Sequence, residues 1–172
     1  MKPSRVRLAV HAKDWSRLLT LSWDKWPRET GGVLVGTQND AGELVVGYVI
    51  GPGPAAAHEQ RTFTPDHAWQ AKQVEKLWRA DHCIQYLGDW HTHPRGRARL
   101  SSTDVDTLRL IAASPSALQL TPMMLVVALG SGGDVEAGVT RLERGRCRKL
   151  RLEVGAATIT ALSMRMGTQS NL

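Results

Sequence analysis

Phenylalanine and tyrosine are scarce in this chain: one Phe and two Tyr stand against six Trp. Trp buries a large area, so Trp15, Trp23, Trp26, Trp69 and Trp78, which fall on helical faces, are expected in the core. Cysteine is scarce as well. Cys83 and Cys147 lie far apart in sequence, which excludes a disulfide framework and fits a reducing cytoplasm. Cys83 reads as a buried thiol. Cys147 sits in a basic strand with no accompanying histidine pattern, so a cysteine nucleophile is not expected. No apolar run approaches the roughly 18 residues of a helical membrane span. Near the N-terminus only Leu8 to Val10 is apolar before His11, Lys13 and Asp14 follow, so no secretory signal is expected. Internal repeats are absent too.

What is present is ordinary for a globular domain. The 172 residues are 42% hydrophobic and 22% charged, which excludes bulk disorder and leaves room for one core. The net charge of +6 permits an acidic protein surface or nucleic acid as partner and selects neither.

Periodicity organises the chain into interleaved strands and helices. Val6, Leu8 and Val10 alternate as a strand, and His11 to Trp26 reads as a helix closed by Pro27. Val33 to Val35 and Glu43 to Ile50 form a hairpin around Asn39-Asp40-Ala41-Gly42. A long loop through Gln60 precedes a short strand at 61–64. A helix capped by Asp66 follows, with Ala71, Val74, Leu77 and Trp78 as its apolar face. Residues 83–93 read as a strand ended by Pro94, 94–100 as a basic loop, and 102–113 as a helix. Strands at 122–129, 135–143 and 147–154 complete an α/β fold with a mixed sheet. We expect one domain over 1–154 and a weakly held tail over 155–172.

The chemistry gathers in His91-Thr92-His93-Pro94 and Ser101-Ser102-Thr103-Asp104. On a strand, residues two apart point to one face, about 6.6 Å apart along the chain, so His91 and His93 can converge on one ion. Pro94 turns the chain, and Asp104 in the first turn of the next helix can supply a carboxylate. Two His and one carboxylate suit a catalytic zinc, with the fourth position left to water. Such an ion acidifies its water and polarises a carbonyl. A base and an oxyanion donor are still needed. Ser101 could be the donor, whereas spacing does not choose the base among sixteen acidic residues. Ser101-x-x-Asp104 is equally a helix capping box, and a ligand Asp104 would turn toward the site rather than the helix end.

Glu29 before Gly31-Gly32, His91-x-His93-Pro94, seven intervening residues, then Ser101-x-x-Asp104 resembles the motif of the JAB1/MPN/Mov34 (JAMM) zinc metallopeptidases. Gly88-Asp89-Trp90, Leu100 and Thr107 flank it in agreement. The resemblance implies the MPN fold, a curved mixed sheet flanked by helices in a single domain, over residues 5–154. It implies zinc bound by His91, His93 and Asp104. Glu29 would be general base and acid, and Ser101 would stabilise the tetrahedral intermediate. The implied substrate is the amide bond after the Gly-ending tail of a ubiquitin-like protein or its conjugate. Gly51-Pro52-Gly53-Pro54, Ala56, His58 and Phe63-x-Pro65-Asp66 resemble the compact bacterial JAB-type peptidases. These are encoded beside E1-like and E2-like enzymes, some in antiphage operons. Thr92 and Leu108 depart from the eukaryotic pattern, at positions that are not ligands.

Two other readings stay open: a zinc peptidase acting on a sulfur-carrier protein, and a non-catalytic module binding ubiquitin-like proteins or nucleic acid. Nucleic acid is the less expected partner, and no membrane is expected. Arg141 to Arg151 is a basic run, with Arg144, Arg146 and Arg148 lining one face of a strand whose edge is solvated. Arg95, Arg97 and Arg99 join the two halves of the motif and could touch the substrate tail or the leaving protein. The tail itself could add to a sheet edge beside the metal.

Overall fold

A computed structural model describes residues 6–114 and 121–155. Seven strands form one mixed sheet. They are β1 (Arg7–His11), β2 (Gly31–Gln38), β3 (Leu44–Ile50), β6 (Gln85–Pro94), β7 (Met123–Leu129), β8 (Val135–Glu143) and β9 (Arg146–Gly155). A separate two-stranded ribbon pairs β4 (Ala57–His58) with β5 (Phe63–Thr64). Three helices complete the chain: α1 (Ala12–Asp24), α2 (His67–Ala80) and α3 (Ser102–Ala113).

The expected curved sheet goes as far as closure. Its order is β1-β3-β2-β6-β7-β8-β9, and β9 returns to pair in parallel with β1. Leu8, Val10, Leu34, Val46, Leu87, Trp90, Leu125 and Val127 fill the interior with Leu18 of α1. Trp15, Leu19, Trp23 and Trp26 pack against the same cluster, as the helical periodicity requires. The neighbouring positions face outward. There α2 covers Val33, Val35, Ile50 and Ile84 with Trp69, Val74 and Leu77, while α3 lays Leu108 on Met124 and Leu142.

Several expectations change. Closure leaves the main sheet no free edge beside β6, because β2 and β7 flank it on either side. The free edges near that strand's end are those of the β4–β5 ribbon. The ribbon's first strand falls where the sequence suggests only loop, since two residues are too short for any period to register. Cys83 is exposed rather than buried, at the turn before β6. Trp78 is 49% exposed and stacks on His82 with centroids 4.4 Å apart. Its helix covers the barrel with only one stripe, and Trp78 lies at the stripe's rim. Arg144 sits in the β8–β9 turn with φ 48° and belongs to no strand face. Among the described residues β9 is an edge over part of its length, because Arg146 to Leu150 pair with β8 alone and Arg151 to Gly155 with β1 alone. The tail expected over 155–172 begins with Gly155 inside β9, and 156–172 lie outside the described residues.

Candidate metal centre

The centre lies on the outer face of the barrel, in the gap between α2 and α3. Along β6 the residues alternate: Trp90 and Thr92 point inward and are 1% and 0% exposed, so His91 and His93 point out. His91 pairs with Gly31 of β2 and with Val126 of β7, which fixes the strand on both sides.

Two glycines set how closely these strands approach the site. A Cβ at Gly31 would stand 2.4 Å from the Trp90 carbonyl and 2.9 Å from the Phe63 ring, which lies over this position beside His91. A Cβ at Gly32 would stand 2.0 Å from the Ile50 carbonyl. That same carbonyl accepts the Trp90 indole N–H at 3.0 Å, so Trp90 is locked behind the histidines. Thr92, between the two histidines, contributes more than its inward position suggests. Its hydroxyl oxygen accepts the Thr30 N–H at 3.0 Å, and its backbone N–H donates to the Thr30 carbonyl at 2.8 Å. The residue next to Glu29 is thereby tied to the strand that bears the histidines.

Asp104 arrives from the other side, carried by the first turn of α3. Ser101 caps the helix: its Oγ accepts the Asp104 N–H at 3.2 Å, while Asp104 Oδ2 accepts the Ser101 N–H at 2.6 Å. The carboxylate also faces the histidines. Its Oδ1 lies 3.4 Å from His91 Nε2 and its Oδ2 lies 3.4 Å from His93 Nε2. Capping and facing the site, two roles that need not exclude each other, are performed by one side chain at once.

The two Nε2 atoms stand 2.9 Å apart, and one ligand atom from each of the three residues lies within 4.8 Å of the others. His93 Nδ1 is 3.0 Å from the Arg97 carbonyl, which places a proton on Nδ1 and a lone pair on Nε2. In a tetrahedral zinc site with bonds near 2.0–2.2 Å, ligand atoms stand about 3.3–3.5 Å apart. The two imidazole nitrogens, at 2.9 Å, stand closer than that, and each lies 3.4 Å from a different oxygen of the Asp104 carboxylate, so the three side chains converge on one point with small adjustments left to make on binding an ion. Imidazole nitrogen with carboxylate oxygen is a donor set suited to zinc and to neighbouring transition metals. Burial works to raise the Asp104 pKa, but hydrogen bonds with His91, His93 and the Ser101 N–H prevail and hold it well below the usual carboxylate range.

Glu29 stands at the entry to β2 and lines the same groove of about 1560 Å³ as His91, His93, Ser101 and Asp104. Burial pushes its carboxyl above the ordinary value, while His93 and His91 pull it back and Asp104 pushes it up again. All five residues singled out from the sequence therefore share one cavity. The β4–β5 ribbon grips the Glu29 backbone, a feature the sequence reading missed. The Glu29 N–H donates to the Glu59 carbonyl at 2.7 Å, and His58 Nδ1 lies 3.0 Å from the Glu29 carbonyl. Phe63 stacks on His58 with centroids 5.4 Å apart. Only the joint presence of His58 and Phe63 signals this in the sequence, and neither carries a periodic pattern.

Comparison with known proteins agrees with this geometry. A probable metalloprotease, y4qB, of Sinorhizobium fredii is 33% identical over 135 residues, covering 77% of this chain and 82% of the relative. A CD-NTase/cGAS isopeptidase of Enterobacter hormaechei subsp. hoffmannii is 25% identical over 119 residues, 68% of this chain but only 64% of that longer relative. Among solved structures, the solution structure of protein DSY2949 from Desulfitobacterium hafniense superposes with a TM-score of 0.67. At 20% identity, covering 86% of this chain and 92% of that one, it speaks for the fold alone. Residues 11–141 match the family model of prokaryotic homologues of the JAB domain, from the end of β1 into β8 and across the whole metal centre, and the chain belongs to that family.

Proposed function

We propose that this protein is a zinc-dependent peptidase or isopeptidase that hydrolyses the amide bond following the C-terminal tail of a ubiquitin-like protein or its conjugate. Family membership and relatives named metalloprotease and isopeptidase support a metal-dependent peptidase of the JAB type. The observation that carries the reading is the convergence of His91, His93 and Asp104 within 4.8 Å, in one groove with Glu29. The substrate class rests more narrowly on the isopeptidase relative and on the shape beside the metal centre. There Phe63, packed on Gly31, gives the groove an apolar wall against which an extended glycine tail can lie.

His91, His93 and Asp104 hold the ion in this reading. When bound, it supplies Lewis acidity, making hydroxide available near neutrality and polarising the scissile carbonyl. Glu29 takes the proton of the attacking water and delivers it to the departing amine. Its burial suits that task, because a carboxyl raised toward neutrality both accepts and releases a proton readily. The Ser101 Oγ accepts from the Asp104 N–H, so its own hydrogen is free to donate to the developing oxyanion. Thr92 and the β4–β5 ribbon hold Glu29 at the height of the histidines. An antiphage setting and E1-like or E2-like partners belong to this proposal as its biological context.

The test is direct. Purified protein should carry near-stoichiometric zinc and should cut a Gly-Gly-tailed ubiquitin-like fusion until a chelator is added. Glu29→Gln should keep the metal and lose roughly 10²–10⁴ in kcat. Full turnover by a metal-checked Glu29→Gln protein would remove Glu29 from its role, and an intact fusion after prolonged incubation would remove the substrate class.

A further inference from the structure

Arg95 stands two residues beyond His93, in a backbone conformation that arginine seldom adopts. The Gly96 N–H donates to the His93 carbonyl at 3.1 Å, closing a four-residue turn with Pro94 second and Arg95 third. Arg95 has φ 58°. A turn with proline second and positive φ third ordinarily takes Gly or Asn at that place. Glycine does follow, but one position late, and it serves another purpose: a Cβ at Gly96 would stand 2.9 Å from the Cβ of His93. The strained residue is thus a long cation, and strain of this kind collects at functional sites.

The surroundings hold this cation in place without neutralising it. Its backbone N–H donates to the Leu129 carbonyl at 2.8 Å, seating the turn on the end of β7. Its guanidinium lies over the Trp26 ring, 5.6 Å from the centroid, and Trp26 is itself packed against the core. None of the ion pairs among the described residues uses Arg95, Arg97 or Arg99. Arg95 nevertheless lines the groove that contains Glu29, His91, His93 and Asp104.

The two ends of the centre differ in chemistry. Phe63 lies at the His91 end, packed on Gly31, where it gives the groove an apolar wall. Arg95 lies past the His93 end, where the groove opens toward solvent and is positive. A substrate running along β6 with its carbonyl at the centre presents its glycine tail to Phe63 and its leaving group to Arg95. Resting on the peptidase reading of the site, we propose that Arg95 is a specificity-determining residue. It receives a carboxylate on the leaving-group side of the scissile amide: the free α-carboxylate of a one-residue leaving group, or an Asp or Glu side chain just beyond the cut.

Quenched peptides with a Gly-Gly tail followed by Glu, Gln or Lys test this, each made with further residues beyond the cut. A second pair, ending at a single Gln as free acid or as amide, separates the two sources of the carboxylate. Wild-type protein should favour Glu over Lys, or free acid over amide, by roughly five-fold in kcat/KM, the size an exposed charge pair supports. The preference should shrink at high salt. Arg95→Gly should level it and Arg95→Glu reverse it, and Arg95→Gly should melt no lower than wild type because glycine accepts positive φ. The same peptides are titrated by anisotropy onto Glu29→Gln protein with and without Arg95→Gly, so the inference is read without turnover. Cleavage with no charge preference, or one that survives Arg95→Gly, overturns the role of Arg95 and leaves the peptidase reading standing. Charge-selective binding lost in Arg95→Gly, but with no cleavage by wild type, supports Arg95 and overturns the peptidase reading instead.

Discussion

Residue by residue, the site depends as much on side chains that are missing as on those present. Gly32 lets β2 lie against β3 so closely that the Ile50 carbonyl reaches the Trp90 indole N–H at 3.0 Å. A methyl group there would collide with that carbonyl at 2.0 Å and with the indole nitrogen at 2.7 Å. Gly32→Ala should therefore cost about 1–3 kcal/mol, the usual penalty for overpacking. It should also lower metal affinity, because Trp90 backs His91. Chemical denaturation and a metal titration read the two effects, and a Gly32→Ala protein as stable as wild type would sink the proposed packing role. The Gly31-Gly32 pair was visible in the sequence as a possible site of tight strand packing, and His91, His93 and Asp104 by their spacing. The parts played by two other residues were not visible. Thr92 and His58 act through backbone hydrogen bonds to Thr30 and Glu29, and such bonds join positions about 30 and 60 residues apart that no local pattern links.

Among the elements, α3 binds structure and chemistry most tightly together. Its N-terminus needs a cap, and the cap's partners are the proposed oxyanion donor Ser101 and the candidate ligand Asp104. Ser101→Ala removes both functions, and stability should fall by about 1 kcal/mol. Ser101→Gly separates them, since glycine at an N-cap costs only a few tenths of a kcal/mol while supplying no hydroxyl. Both variants should lose roughly 10²–10³ in kcat, yet only Ser101→Ala should show the larger drop in melting temperature. Activity retained by Ser101→Gly would reassign the hydroxyl to capping alone. The helices and long strands were legible because each buries one stripe or one face over enough residues to show a period: α3 lies over 102–113 in both sequence and structure. The ribbon's first strand, two residues long, was too short to show one, whereas its second lies within the strand expected at 61–64. Exposure failed for a related reason. A periodic stripe marks a helix's buried face but not its width, so Trp78 at the rim looks like core in sequence and is half exposed in the fold.

For the molecule as a whole, the core and the metal centre are separate bodies that meet along β6. The barrel interior closes on itself through β9 and β1 and contains none of the three candidate ligands. Those ligands lie outside it: His91 and His93 are anchored in β6, and Asp104 is on a helix that rests on the barrel through Leu108, Met124 and Leu142. An ion bridging them fastens α3 to the sheet without being needed to build the sheet. The protein is thus expected to fold without metal and to gain stability with it, unlike small domains whose core is the metal site. At an ion concentration 1,000 times Kd the gain is about 4 kcal/mol. At roughly 2–4 °C per kcal/mol for a domain of this size, that is about 8–16 °C in Tm. Chelation should remove this increment while far-UV circular dichroism at room temperature stays unchanged, and hydrogen exchange should quicken in α3 before it quickens in β7. Asp104→Ala should melt at one temperature with or without zinc. Wild type that melts identically in chelator and in excess zinc would show that the three side chains hold no ion, and the zinc-dependent proposal for Glu29, Ser101 and Arg95 would lose its foundation.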